Sequence, residues 1–364
     1  MKKLIVGNLV DLPISIGLNY YWCVGFILGI FMVVQVISGV VLSLFYSSIS
    51  SFSFLVWADD NLFSWFVRYL HIWGVSVMFF LLYVHIGRGL YYSSYNKVAV
   101  WSSGFLLYLL IMIEAFLGYI LPWHQMSYWA ATVLTSVILS IPLFGSLLYT
   151  YIVGGYSVTV TETLLRFFPM HVVLGIIILV LVLFHLYYLH SVGSSMPLYI
   201  SDSYSDCVYF HKYYSIKDVF VIVGVFVMLL TCMFVVPHCV LDCESFIEAN
   251  FLVTPENIKP EWYFLLYYAM LRSVNSKLGG LLIVLIFLFV LWLPSSNISC
   301  IYSVFRQVNF WLLLSFCVGL GYIGACHAEY PYNLIAQYYS FLVLFLLTIF
   351  KFSSFVPLHY FHIA

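Results

Sequence analysis

The stretch RYLHIWGVSVMFFLLYVHIGRG, Arg68 to Gly89, is apolar throughout apart from two histidines, His71 and His85, and an arginine near each end. An imidazole taken out of water needs partners for its ring nitrogens. Two of them, 14 residues apart in one apolar segment, therefore raise the question of what they share. The rest of the chain says what surrounds them. Of its 364 residues 64% are hydrophobic and only 7% are charged, and the mean hydropathy is +1.07. Soluble domains carry about a quarter charged residues. The deficit, with repeated apolar runs of about 20 residues, predicts an all-α integral membrane protein. An outer-membrane barrel is excluded, because its strands alternate polar and apolar residues.

Polar, Pro and Gly breaks divide the chain into eight expected spans, A to H, at 22–46, 64–92, 102–123, 168–191, 217–237, 275–294, 308–326 and 337–355. The long C–D gap, with Gly154-Gly155, and the E–F gap, with Pro255 and Pro260, hold too many aromatics to be plain linkers and read as folded caps on one membrane face. A division of the chain into 1–215 and 216–364 separates the first four spans from the last four.

With the N-terminus inside, Lys2, Lys3, Arg88, Lys97, Lys212, Lys217, Arg306 and Lys351 lie on the inner side. Arg68, Arg166, Lys259, Arg272 and Lys277 lie outside, an asymmetry that favours this orientation. A net charge of −1 and the lack of a basic run leave nothing for nucleic acid to hold. Eight cysteines occur without a C-x-x-C or C-x-x-C-H motif, so a disulfide framework, a zinc knuckle and covalent c-type haem have no support. Cys239 and Cys243, in C-V-L-D-C, are the one pair spaced to bridge or to bind metal.

Span D repeats span B. RFFPMHVVLGIIILVLVLFHLYYLH, Arg166 to His190, places His171 and His185 14 residues apart. Fourteen steps on a helix return to within about 40° of the starting direction and climb about 21 Å. Each helix thus offers two imidazoles on one face at two depths. One span separates B from D, so the two run in the same direction, and His71 meets His171 while His85 meets His185. Two neutral imidazoles on opposite sides of a flat iron macrocycle give bis-histidine ligation, which fills both axial positions and suits electron transfer. Gly25 and Gly39 in span A, and Gly104 and Gly118 in span C, are again 14 apart and would admit the close approach that a haem edge needs. Arg68 and Arg166 at the outer haem, and Arg88 at the inner one, suit propionates. The expectation is a four-helix bundle formed by the first four spans around two stacked, non-covalent b-type haems. Zinc or copper would instead gather its ligands at one depth.

A two-haem wire needs a two-electron partner at its ends. In PEWY, Pro260 to Tyr263, Glu261 beside Trp262 and Tyr263 can accept a proton from a quinol, the alternative being an interfacial aromatic anchor. Toward the inner end His190, Lys217 and Asp218 can serve a quinone, the alternative being a solvated helix end. Two other classes compete with the wire. A transporter would use the histidines as proton relays but needs broken helices, and a haem-bearing anchor for another oxidoreductase would need fewer spans and no outer PEWY-like loop.

RYLH, HIGRGLYYSSY, FLGYILPWHQMSYW, GGYSV, RFFPMH, HLYYLH, IKPEWYF and SKLGG together resemble the mitochondrial cytochrome b family, from about Leu18 to Gln337. The resemblance implies eight transmembrane helices and a catalytic subunit of the cytochrome bc1 complex, respiratory complex III, a ubiquinol–cytochrome c reductase. Ubiquinol would be oxidised at an outer Qo site. One electron would go to a Rieske iron–sulfur protein and the other through haem bL (His71, His171) and haem bH (His85, His185) to ubiquinone at an inner Qi site, with proton translocation by the Q cycle. At Qo the resemblance adds Tyr119, Tyr268 and Trp129 to Glu261; at Qi it matches His190, Ser194, Lys217 and Asp218. The implied partners are cytochrome c1, the Rieske protein, other complex III subunits, a second copy in a homodimer, a respiratory supercomplex and the lipid bilayer. The implied location is the mitochondrial inner membrane, with the N-terminus on the matrix side.

Three positions depart from the pattern. His124 stands where PWGQMS has glycine, and Ala130 where W-G-A-T has glycine; a methyl there narrows the Qo pocket and implies lower sensitivity to strobilurin-type inhibitors. Glu114, a carboxyl inside span C, has no counterpart in the motif and no assignable role from sequence.

Overall fold

The computed structural model describes residues 6–195, 206–295 and 302–353. Lys2, Lys3, Cys300 and the last two residues of the expected span H lie outside them. The helices, in chain order, are α1 (Val24–Ser43), α2 (Ser51–Asp60), α3 (Leu62–Tyr91), α4 (Val98–Ile120), α5 (Gln125–Ile138), α6 (Gly145–Val153), α7 (Val160–Val192), α8 (Phe210–Val235), α9 (Leu265–Arg272), α10 (Lys277–Trp292), α11 (Val304–Ala325) and α12 (Tyr332–Phe352). A single two-stranded antiparallel ribbon, β1 (Pro13–Ser15) with β2 (Cys207–Tyr209), ties the N-terminal segment to the chain before α8, in register Ile14 opposite Val208.

All eight expected spans are helices, but only seven are long and apolar enough to cross a bilayer among the described residues: α1, α3, α4, α7, α8, α11 and α12. The sixth, α10, has 16 residues. At 1.5 Å each these reach about 24 Å, short of a hydrocarbon core of about 30 Å. Sequence placed its start two residues early, whereas the chain is still turning there: Ser276 caps α10 by accepting from the Gly279 N–H at 3.2 Å. In the other direction, α7 begins eight residues before the expected span D. Thr159 caps it through the Glu162 N–H, and the helix runs through Pro169. Proline forfeits one backbone hydrogen bond, which usually marks a helix boundary, but a long apolar helix packed on neighbours absorbs the loss.

The gaps are folded, as their aromatic content implied. The C–D gap holds α5 and α6, the E–F gap holds short turns and α9, and α2 occupies the A–B gap, where no helix was expected. The C–D and E–F segments are stitched together by backbone. His124 bridges Glu248, the Gln125 N–H donates to Ile247 O at 2.8 Å, and the Ala249 N–H donates to Trp123 O at 3.2 Å.

Two helix pairs dominate the N-terminal half, α1 on α3 and α4 on α7, and α8 lies against α1 and α3. In the C-terminal half α9, α10, α11 and α12 pack on one another. One buried apolar cluster joins α3 and α4 to these, through Phe79, Tyr108, Met270, Phe287, Leu320 and Leu347. Close packing replaces the hydrophobic effect as the glue between helices in lipid, and glycine permits it where backbones meet. A Cβ on Gly280 would stand 2.2 Å from Leu271 O, and one on Gly324 would stand 2.2 Å from Leu265 O.

Neither carbonyl can yield as a flexible side chain could. Gly280→Ala and Gly324→Ala are therefore expected to destabilise the chain by about 1–3 kcal/mol each, the usual cost of overpacking. Thermal unfolding of the purified protein should show a lower Tm for both, while Gly321→Ala, with open space over the glycine, should leave it unchanged.

Candidate functional site

The four histidines meet as their spacing requires. The ring centres of His71 on α3 and His171 on α7 are 6.3 Å apart, and those of His85 and His185 are 6.5 Å apart. An iron held between two imidazole nitrogens by bonds of about 2 Å places the ring centres about 6 Å apart, so both pairs have room for one metal and its macrocycle plane. The glycines complete the arrangement. A Cβ on Gly39 would come 3.3 Å from His71 Cε1, on Gly25 3.3 Å from His85 Cε1, on Gly104 2.9 Å from His185 Cε1 and on Gly118 2.7 Å from His171 Cε1. Each glycine faces one histidine across a packed helix pair, α1 serving α3 and α4 serving α7. The space over each glycine thus holds the edge of an imidazole.

Hydrogen bonds fix which ring nitrogen is free. Ser38 Oγ donates to Val34 O at 2.7 Å and lies 2.8 Å from His71 Nδ1. Ser103 Oγ donates to Val100 O at 3.0 Å and lies 2.9 Å from His185 Nδ1. With its proton committed to the helix carbonyl, each hydroxyl is left to accept from Nδ1–H, an arrangement that leaves Nε2 unprotonated and able to bind a metal. His171 Nδ1 reaches Glu114 O at 3.1 Å, and His85 Nδ1 is buried with no hydrogen-bond partner among the described residues. The donor set therefore suits bis-histidine haem at both depths. Ser38 and Ser103 were missed in the sequence, although a signal was there: each immediately precedes the glycine facing the histidine it supports. A proton relay through broken helices finds no footing, because α3 and α7 run without interruption from one histidine to the next.

The arginines expected at propionates all have protein partners. Buried Arg68 is ion-paired with Asp59. Arg88 donates to Tyr21 O at 3.2 Å and lies over the Trp22 ring. Arg166 donates to Tyr151 O at 2.7 Å and covers Gly154, whose φ of +88° ends α6.

At the outer end, the PEWY segment is anchored on α3. Tyr263 stacks on Phe79 with ring centres 4.1 Å apart, Trp262 Nε1 donates to Ser76 Oγ at 3.3 Å, and Tyr83 donates its hydroxyl to Tyr263 O. Burial pushes the Glu261 carboxyl up to about 7, partly opposed by a hydrogen bond with Tyr119 and assisted by the nearby charge of Asp242. Ala130, Pro260 and Tyr268 line one small cavity of about 10 Å³ with Val133, Leu134 and Ile258. Tyr268 donates to Ile258 O at 2.8 Å, and Trp129 Nε1 donates to Val253 O at 3.1 Å. Glu261, Tyr119, Tyr268, Pro260 and Ala130 thus belong to one corner, while Trp129 fastens α5 to the E–F segment. His124 also has a place. Its Nδ1 accepts from the Ser127 N–H at 3.0 Å, capping α5, and its ring meets Tyr119 edge-on. Burial, with Arg68 nearby, lowers its pKa to about 3, which leaves the imidazole neutral and able to cap.

At the inner end, Lys217 donates to Leu18 O at 3.4 Å among the rings of Tyr20, Tyr213 and Tyr214. Buried Asp218 takes a hydrogen bond from Cys23. Next to Ser194, Ser195 accepts from Trp22 Nε1 through its carbonyl at 3.0 Å, and half-buried His190 lies one turn earlier on α7. Lys217, Asp218 and Ser195 thus all reach the Leu18–Cys23 segment. Cys239 and Cys243 are free thiols, and no cluster of three or more His, Cys, Asp or Glu able to hold a bare metal ion occurs among the described residues.

The glycine clearances rank the expected damage. Gly118→Ala and Gly104→Ala, where the added carbon meets a ring under 3.0 Å away, should each displace one histidine and lower haem content toward one per chain. Gly25→Ala and Gly39→Ala, at 3.3 Å, should lose less. Pyridine haemochrome quantification on the purified variants checks the order.

Comparison with known proteins agrees with this architecture. Residues 9–193 match the family model described as cytochrome b/b6/petB, and residues 248–345 match that described as cytochrome b(C-terminal)/b6/petD. Cytochrome b of Brachionus plicatilis is 42% identical, the alignment covering 94% of this chain and 93% of that one. A chain from a structure titled hyperthermophilic respiratory Complex III superposes with a TM-score of 0.90 at 28% identity, covering 98% of this chain and 96% of its own. On the matched length and identity, this chain belongs to the cytochrome b family.

Proposed function

We propose that this protein is the di-haem electron-transfer subunit of respiratory complex III, taking part in quinol–cytochrome c oxidoreduction. The observation that carries the reading is the pair of histidine pairs, 6.3 and 6.5 Å between ring centres, stacked along two parallel helices. When bound, two non-covalent b-type haems supply one-electron acceptors in series across the bilayer. His71 and His171 hold the outer one, and His85 and His185 hold the inner one. The glycines keep the bundle open at both depths, and Arg68, Arg88 and Arg166 stand at its ends, able to turn toward propionates.

At the outer site ubiquinol loses its protons as it loses electrons, and Glu261 is the group to take one. It lies beside Tyr119 and on the same segment as Pro260, Trp262 and Tyr263, and its carboxyl titrates near the working pH. Tyr268 and Trp129 shape the walls, and the Ala130 methyl narrows them, which favours low sensitivity to strobilurin-type inhibitors. At the inner site His190, Ser194, Lys217 and Asp218 bind ubiquinone and return protons to it, closing a Q cycle that moves protons outward. The chain works with cytochrome c1, a Rieske protein and other complex III subunits, as a homodimer able to join a supercomplex. It sits in the mitochondrial inner membrane with its N-terminus toward the matrix. In this reading α10 is the sixth of eight spans, and a division near residue 215 separates the di-haem half from the PEWY-bearing half.

A dithionite-reduced minus oxidised spectrum of the purified complex, with haem quantified, tests the core of the proposal. Two b haems per chain are expected, and none would end it. The rate of quinol oxidation should rise with pH through about 7 as Glu261 loses its proton and becomes able to accept another. Glu261→Gln should lower the rate at least about tenfold and remove that limb, since general-base catalysis is worth roughly 10²–10⁴-fold. An unchanged pH profile in the variant would exclude Glu261 as the base.

A further inference from the structure

The two histidine pairs differ in one respect that the proposed function leaves unused. Glu114, on α4 one turn before Gly118, places its carboxyl Oε1 3.0 Å from His171 Nδ1, while its own backbone carbonyl lies 3.1 Å from the same nitrogen. A carboxyl inside a membrane span is costly unless something holds it, and here a niche exists for it. Gly175, one turn beyond His171 on α7, leaves the space that the carboxyl occupies: a Cβ there would stand 3.0 Å from Oε1. The other oxygen, Oε2, is buried with no hydrogen-bond partner among the described residues. None of the other three histidines has a carboxyl at Nδ1. His71 and His185 face neutral serine hydroxyls, and His85 Nδ1 has no hydrogen-bond partner among the described residues.

We propose, building on the di-haem reading, that Glu114 is a positioning residue for the outer haem ligand His171 and that its carboxyl lowers the reduction potential of the outer haem relative to the inner one. A carboxyl oxygen 3.0 Å from Nδ1, beside the backbone carbonyl that accepts there, orients the ring and increases the electron donation of Nε2, as acceptors behind metal-bound histidines do. Greater donation stabilises the oxidised, more positive iron. The niche at Gly175 makes the effect dependent on two helices, since α4 supplies the carboxyl and α7 supplies both the ligand and the space.

Redox titration of the purified complex, followed in the haem α-bands and by low-temperature EPR of the oxidised low-spin signals, tests this in Glu114→Gln, Glu114→Leu and Gly175→Ala. Glutamine keeps the shape and removes the charge, leucine removes both, and the alanine methyl pushes the carboxyl from its niche. The lower of the two midpoints should rise in the first two variants by at least tenfold in the reduction equilibrium, 59 mV for one electron. It should move in the same direction in Gly175→Ala. The higher midpoint should stay where it is, and only one EPR signal should shift. If both midpoints are unchanged in Glu114→Gln, or both move equally, the proposal is overturned. Should the leucine variant not assemble, the isosteric glutamine still decides. Absence of two haems in the unaltered protein would instead defeat the di-haem reading itself.

Discussion

The N-terminal half is built around one constraint: two pairs of imidazoles, 6.3 and 6.5 Å between ring centres, lie in a medium that offers few partners for their nitrogens. Unpaired polar groups in hydrocarbon cost several kcal/mol each, so the bundle is arranged around satisfying them. Ser38 and Ser103 take Nδ1 of one histidine at each depth, on opposite helices, and Glu114 takes a third. The glycines follow from the same crowding, because a helix packed this close to an imidazole must carry no side chain where the ring edge lies.

The outer surface is organised by a second, softer constraint. Two long connections meet there, and neither could be ordered alone without leaving backbone groups unpaired. Their mutual backbone bridge at His124–Glu248, the Lys259–Asp242 ion pair at 2.9 Å and the capping of α5 by His124 hold the corner that contains Glu261. His124 thereby turns a departure from the family pattern into a local structural asset: glycine would leave the Ser127 N–H without a side-chain cap, and a neutral imidazole supplies one. Burial of Glu261 in this corner is also what brings its carboxyl into the range where it can exchange protons near neutral pH.

Several expectations changed on contact with the structure, each for a traceable reason. Hydropathy marks where a chain is apolar and leaves open where a helix begins, so it missed the first turns of α7 and overestimated α10, whose cap at Ser276 lies inside the expected span. It had no means of finding α2, a helix of mixed polarity lying between two spans. Arg68, Arg88 and Arg166, which charge alone suggests for propionates, also carry protein partners that sequence does not reveal: Asp59, the Tyr21 carbonyl and the Tyr151 carbonyl.

Helical periodicity converts linear spacing directly into face and depth, so the membrane class, the positions of the apolar segments, the two pairs of histidines at a spacing of 14 and the glycines in step with them can be read from the amino acids alone. The PEWY motif and the carboxylate at 261 are equally legible there. Packing between helices settles which glycine faces which histidine, which groups lie at Nδ1, and that Glu114 lies against His171 in a niche made by Gly175. Those are contacts between helices far apart in the chain, and their geometry depends on how helices rotate and pack against one another, a quantity that no single segment's periodicity contains.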